Sequence, residues 1–515
     1  MRLAKLTNRV IFCVFTVIFQ LDALDTEALE VVSLIRSAKN RRAPINRLPR
    51  DVLALIPDFW SGLEREKIAI ILTHVCRAWR ELFISLASLW TDFRCVDADK
   101  TRSYLERSKS APISLRLERP AGLFWNDPFL EVAPHIVSRL KNLIVQTAPH
   151  HLQGITQHLV HPAPLLEAIL INGRHRGARF TPTLTAELFD RDLSSLRQLY
   201  LLSVNTPLPW RNMSNLTSFS LGYTSDVSIG QIIDFLESAP RLIKVELHFA
   251  APTPGAHAQS RRSVTLAHLR RLTISGSQRP SSLLDHFVIP VGANVSTVFS
   301  SPGPNIDDHL PTSFENLRNF SHFTKILLLY KPNHPYAPLA SIRFIGPSGQ
   351  VSIASSCPAP DAMFVVPRSL ARFDTSKTQC LEIIGSDFTT ELHLALLPLK
   401  DLRTLIISRS CDTGTFLLAI HPPFSPDGSI VCPKLEELIF SNYDRFDIDG
   451  MVEVAEARAS EGAPLKLVEI VSCGEPVSAE GVTELLKHVS RVETRTVTID
   501  EGDDDSFGED SDEER

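Results

Sequence analysis

The residues of this chain most able to do chemistry by type alone are the histidines of "PHHLQGITQHLVHP", residues 149–162. His150, His151, His158 and His161 offer imidazole nitrogens, which bind zinc and carry protons near neutral pH. A metal site also needs spacing: two ligands at a helical i, i+4 interval, or a close cysteine pair to complete the set. Neither is here. The eight cysteines (Cys13, Cys76, Cys95, Cys357, Cys380, Cys411, Cys432 and Cys473) are scattered without a C-x-x-C pair, so they read as reduced thiols rather than as a zinc set or a disulfide framework. G-x-S-x-G, G-x-x-x-x-G-K-[ST] and H-E-x-x-H are all missing, and "GPSGQ" from Gly346 is a turn rather than a phosphate cradle. The expectation is a chain with no catalytic residue, no metal and no cofactor, working by binding.

Binding chemistry of the apolar kind is concentrated early. "LTHVCRAWRELFISLASLW", residues 72–90, holds two of the five tryptophans. Leu72, Val75, Cys76, Trp79, Leu82 and Phe83 follow a helical stripe, with Arg77, Arg80 and Glu81 off it. Leu86, Leu89 and Trp90 repeat the spacing in a shorter segment. Upstream, "INRLPRDVLALIPDFW" places Pro49 in the first turn of a helix and Asp51 near the positive end of its dipole. Val52, Leu53 and Ile56 share a face, and Pro57 ends the helix because it donates no backbone hydrogen bond. The polar "DFWSGLEREK" then reads as a link. Residues 45–93 predict three short helices too small to hide their own apolar surface, which must dock on the chain itself or on a partner.

The elements that carry this unit follow from the whole chain. Its 515 residues suffice for two to four domains or one repeat array. The net charge is −6, and residues 500–515 supply −9 of it through ten acidic residues and one arginine, leaving +3 for the rest. That balance lacks the basic footprint of a nucleic-acid binder. "TEALEVVSLIRS", from Thr26, predicts a helix, and the "SAKNRRAP" that follows predicts a basic linker. Arg2, Lys5 and Arg9 precede a ten-residue apolar run, Val10 to Phe19, too short to span a bilayer. Its layout fits a signal peptide as well as a buried helix. N-x-S/T triplets at Asn212, Asn215, Asn294 and Asn319 could be added to a secreted reading. A cytoplasmic or nuclear location, with no membrane partner, is the first expectation, and secretion is the alternative.

After Lys100 a unit of the form L-x-x-L-x-L returns at Leu140, Leu166, Leu196, Leu216, Leu242 and Leu269, and again at Leu402, Leu435 and Leu465. Intervals of 20 to 33 residues between strand-like runs, often with a helical run between, are the mark of degenerate leucine-rich repeats. The expected fold class is α/β: a small N-terminal helical unit followed by a repeat solenoid whose strands line one face. Residues 275–378 break the rhythm with proline-rich stretches, and stand as irregular repeats, an insertion or an unrelated α/β domain. The acidic tail is too charged to fold. Its Ser506 and Ser511 sit three residues before Glu509 and Glu514, a spacing that suits acid-directed phosphorylation. The expected division is a leader and linker over 1–43, the helical unit over 44–95, repeats over 96–499 and a disordered tail over 500–515.

The early stretch resembles an F-box of the type common in mushroom-forming fungi. The likeness lies in the Leu48-Pro49 start, in the run Val75-Cys76-Arg77-Ala78-Trp79-Arg80 and in the closing Ser88-Leu89-Trp90. It extends through the trailing "DADKTRSYLERSKSAPISLRL". The resemblance implies a substrate receptor of an SCF-type cullin–RING ubiquitin ligase. Its F-box would bind a Skp-type adaptor, and through it a cullin scaffold, while the repeats bind a protein substrate. The implied adaptor contacts are Leu48, Pro49, Val52, Leu53, Ile56, Val75, Cys76, Trp79, Leu89 and Trp90. A non-catalytic repeat scaffold acting outside any ligase is the alternative, beside the secreted reading.

Overall fold

Each L-x-x-L-x-L unit named above runs into a β-strand. Leu140 is the first residue of the strand Leu140–Gln146. At Leu166, Leu196, Leu216, Leu242, Leu269, Leu402 and Leu435 the strand begins two residues later, and each of these leucines first donates its backbone N–H to the carbonyl three residues back. The leucine is buried under that turn and the next two apolar positions are buried from the strand. The pattern therefore encodes a turn and a half-buried strand together. In the computed structural model the described residues are 2–60, 62–95, 97–118, 128–173, 181–184, 188–191, 193–205, 213–224, 227–249, 262–276, 281–299, 310–311, 313–314, 316–317, 323–331, 339–347, 349–356, 370, 372–385, 392–408, 413–422, 430–443, 446–472 and 476–497. The chain is α/β and divides into two compact units, Met1–Ala168 and Ile169–Arg515.

The first unit opens on one long helix, Arg2–Arg42. The expected basic linker from Ser37 is the last turn of that helix, because "SAKNRR" contains no glycine or proline to stop it and its cations suit a helix C-terminus. The short helices Arg50–Ala54, Gly62–Val75 and Arg77–Ser85 follow. Two expectations change here. The stripe from Leu72 to Phe83 is not one helix: Cys76, at φ −160° and ψ 171°, interrupts it and serves as the N-cap of the next. The polar link is mostly helical too. Pro57 stands in the first turn of a 3-10 helix, Ile56–Phe59, and "LEREK" lies within the helix from Gly62. The 95/96 boundary falls inside this unit, since Asp92–Arg94 pairs in parallel with Ile113–Glu118, which pairs with Leu140–Gln146. The helix Ala98–Ser108 connects the first two strands, capped by the Asp97 carboxylate accepting from the Lys100 N–H at 2.9 Å.

The second unit is a large, mostly parallel sheet. Gln198–Leu202, Ser218–Thr224, Lys244–Phe249, Arg271–Gly276 and Asn294–Phe299 pair in that order, all parallel. Cys380–Ile384, Thr404–Ser408, Glu437–Tyr443, Leu467–Ser472 and Arg491–Thr496 do the same. Between the two runs the irregular middle supplies a meander. Lys325–Lys331, Leu339–Ile345 and Gln350–Ser356 pair antiparallel, with the first joining Cys380–Ile384 and the last joining Asn294–Phe299, both in parallel. One face of the sheet is buried against helices. Ile229–Ser238, closed by a Ser228–Gln231 capping box, lays Phe235 on Phe219 with ring centroids 4.3 Å apart.

Candidate functional site

The helical unit of residues 44–95 holds the expected binding residues, and burial sorts them. Pro49 occupies the N-cap of Arg50–Ala54, where its missing N–H costs nothing, and its carbonyl accepts from the Val52 and Leu53 N–H groups at 3.1 Å each. The helix turns Leu53 inward and leaves Val52 45% exposed, beside Leu48 at 43%. Val75 is 51% exposed at the end of Gly62–Val75, Pro49 is exposed, and Ile56 and Cys76 are half-buried. Leu53, Trp79, Leu89 and Trp90 are buried. These four hold the unit together, and their side chains offer no surface to a partner while it stays folded.

The buried members make specific bonds. The Trp79 indole N–H donates to Asn46 Oδ1 at 2.5 Å, and Asn46 Nδ2 donates to the Asn40 carbonyl at 2.7 Å. One asparagine thus pins the central tryptophan and the end of the long helix, and it fixes the turn that presents Leu48. Sequence reading passed over Asn46, since a lone asparagine between Ile45 and Arg47 gives no signal until Trp79 is seen to need an acceptor. Trp90 donates to the Phe83 carbonyl at 2.8 Å, meets Tyr104 edge-on at 5.0 Å, and carries the Arg107 guanidinium 4.3 Å over its ring.

A buried carboxylate sits below this aromatic group. Glu66 accepts from Lys100 Nζ and from Arg94 Nε at 3.4 Å, which satisfies a charge that would otherwise be costly inside. The Tyr104 hydroxyl donates to the Glu66 carbonyl at 3.3 Å; burial, then the negative charge of Glu66, push its phenol well above the ordinary value. Burial also raises the Asp92 carboxyl, against the pull of Arg116 at 3.1 Å. Glu66 with Arg94 and Lys100, and Glu118 3.9 Å from Arg94, balance two charges of each sign and join helix, strands and the following helix, so the cluster is an internal strut.

Further apolar side chains stand exposed on the same unit: Ile45, Leu55, Phe59, Ile70 and Ile71. Against a core that already holds Leu53, Leu72, Trp79, Leu82, Phe83, Leu89 and Trp90, this excess is surface that the unit does not use for itself.

In the second unit the sheet has a covered face and a half-exposed one. Register places Tyr200, Ser220, Glu246 and Thr273 in one lateral row on the latter, with Ser220 itself buried. The same row continues through Leu327, Glu382, Ile406, Ile439, Glu469 and Glu493. The deepest charge is Arg458, whose guanidinium donates to the carbonyls of Val431 at 3.0 Å, Cys432 at 2.9 Å and Ile420 at 3.4 Å. Burial lowers its pKa and pushes the Cys432 thiol up to about 12, so that thiol stays protonated and is no nucleophile.

Among the described residues, no group of three histidine, cysteine, aspartate or glutamate side chains could hold a metal ion, and no helix is long and apolar enough to cross a membrane. Asn215 has its side-chain amide engaged, donating to the Ser194 carbonyl at 2.7 Å and accepting from Arg241 at 3.1 Å; Asn294 accepts from the Gln350 N–H at 3.0 Å. Asn212, Asn319, Ser506 and Ser511 lie outside the described residues. No protein-family model matches the chain, and no curated protein matches it.

Proposed function

We propose that this chain is the non-catalytic substrate receptor of an SCF-type cullin–RING ubiquitin ligase, its helical unit docking a Skp-type adaptor and its sheet reading a protein substrate. The observation that carries the reading is the sorting of the helical unit. A well-bonded aromatic core leaves Leu48, Pro49, Val52 and Val75 exposed, at or near helix ends, with Ile45, Leu55 and Ile71 beside them in sequence. A few apolar anchors of this kind supply most of the energy of an interface. The adaptor contacts narrow to Leu48, Pro49, Val52 and Val75, with Ile56 and Cys76 at the margin. The repeats, read as a leucine-rich-repeat solenoid, present their half-exposed row as the substrate surface.

Co-purification of the tagged full chain with the host's Skp-type adaptor tests this. The wild type retains the adaptor, and a Leu48→Ala/Pro49→Ala variant of unchanged circular dichroism loses it. A folded wild type that retains none leaves the F-box resemblance as a likeness of sequence alone, and a non-catalytic scaffold becomes the better account.

A further inference from the structure

The long N-terminal helix is the least accounted-for element of the molecule. From Ile18 to Arg36 every side chain is exposed, and Leu21, Leu24, Val31 and Ile35 are each more than half exposed. Among the described residues, its hydrogen bonds to the chain beyond it are made at Asn40, whose carbonyl accepts from Ala43 and Asn46. Yet a subset of the exposed apolar residues is ordered, with Ile18, Phe19, Leu29, Val32 and Leu34 off its line. Leu21, Leu24, Ala28, Val31 and Ile35 recur at alternating steps of three and four, the spacing of a coiled-coil seam. The charges are ordered as well. Asp22, Asp25, Glu27 and Glu30 occupy residues 20–30 without a cation; Arg36, Lys39, Arg41 and Arg42 occupy 31–42 without an acid. Among the described residues none of the eight forms an ion pair. The helix dipole accounts for cations in the last turn, but the acids lie several turns from the helix start at Arg2.

We propose that residues 21–42 pair antiparallel with the same segment of a second copy of this chain. A parallel, in-register pair would set acids against acids. The antiparallel pair that packs Ile35 on Val31 of the second copy, and Ala28 on Ala38, sets Asp25 beside Lys39 and Glu27 beside Arg41, on the two flanks of the seam where partner charges meet in coiled coils. The inference rests on the helix alone and stands whether or not the adaptor reading does.

Sedimentation equilibrium of the full chain in the micromolar range gives twice the 57.3 kDa chain mass. Two variants break the pair without touching the core, since the four residues changed are exposed: Asp25→Lys/Glu27→Lys, and Lys39→Glu/Arg41→Glu. Each alone sediments as a monomer, and an equimolar mixture of the two restores the dimer mass. Zero-length carbodiimide coupling of the wild type yields an Asp25–Lys39 link. Fourteen residues separate these along one helix, roughly 21 Å, so the link must join two copies. A wild-type monomer at these concentrations overturns the proposal, whether it stays free or co-sediments with anionic vesicles. So does a dimer that survives both charge reversals, or one that gives no Asp25–Lys39 link.

Discussion

The helical unit and the sheet dispose of their apolar residues in opposite ways. In the sheet the repeat positions are spent on its own core: Ile169, Leu199, Leu221, Val245, Leu272, Leu405, Leu438 and Val468 are all fully buried on the covered face. In residues 44–95 the apolar residues exceed what the core holds, and Ile45, Leu48, Val52, Leu55, Phe59, Ile70, Ile71 and Val75 stand in water. A sheet backed by helices can grow its core with each repeat, whereas a few short helices enclose little volume for their surface. An apolar residue means stability in one region and, on the proposed reading, contact in the other, and substitutions can separate the two meanings.

The largest effects belong to the cores. Phe219→Ala in the sheet and Trp90→Ala in the helical unit each remove a fully buried ring, and each is expected to cost about 3–5 kcal/mol in denaturant unfolding. Equal losses at Leu48 would erase the distinction drawn here. Asn46→Ala comes next. It strips the Trp79 indole of its acceptor and frees the end of the long helix, for about 1–3 kcal/mol by the same measurement. Leu48→Ala/Pro49→Ala should leave stability within about 1 kcal/mol of wild type while weakening adaptor binding by thirtyfold or so, the loss of a contact of about 2 kcal/mol; calorimetric titration and an unfolding curve on one sample read both.

The smallest effect is a slope. The folded state raises the Tyr104 phenol, so the contribution of that group is fully present below the unfolded value of about 10 and is lost as pH rises from there toward the folded value. Tyr104→Phe should flatten the alkaline fall in stability, and an unchanged slope would mean that the phenol is not held neutral by burial.

Much of this was legible in the residues, unevenly. The L-x-x-L-x-L unit marked strands wherever leucine held the turn position. It missed the strand Cys380–Ile384, where Thr378 takes that place and donates its N–H to the Thr375 carbonyl, as the leucines do three residues back. Geometry is kept there and residue type is not, which periodicity in leucine cannot see. The helical stripe through Cys76 failed for another reason: spacing records which residues share a side, and two helices meeting at a bend satisfy it as well as one. Exposure was legible only in part. Leu48 and Leu53 are both leucines five residues apart, and only the packing of the short helix decides that one is exposed and the other buried.

Amide hydrogen exchange on the full chain, with and without the proposed Skp-type adaptor, tests the central claim most directly. The account predicts protection across residues 45–56 and 70–76 on adding the adaptor, with the strands from Gln198 to Thr496 unchanged. Protection confined to those strands, or none at saturating adaptor, would contradict it.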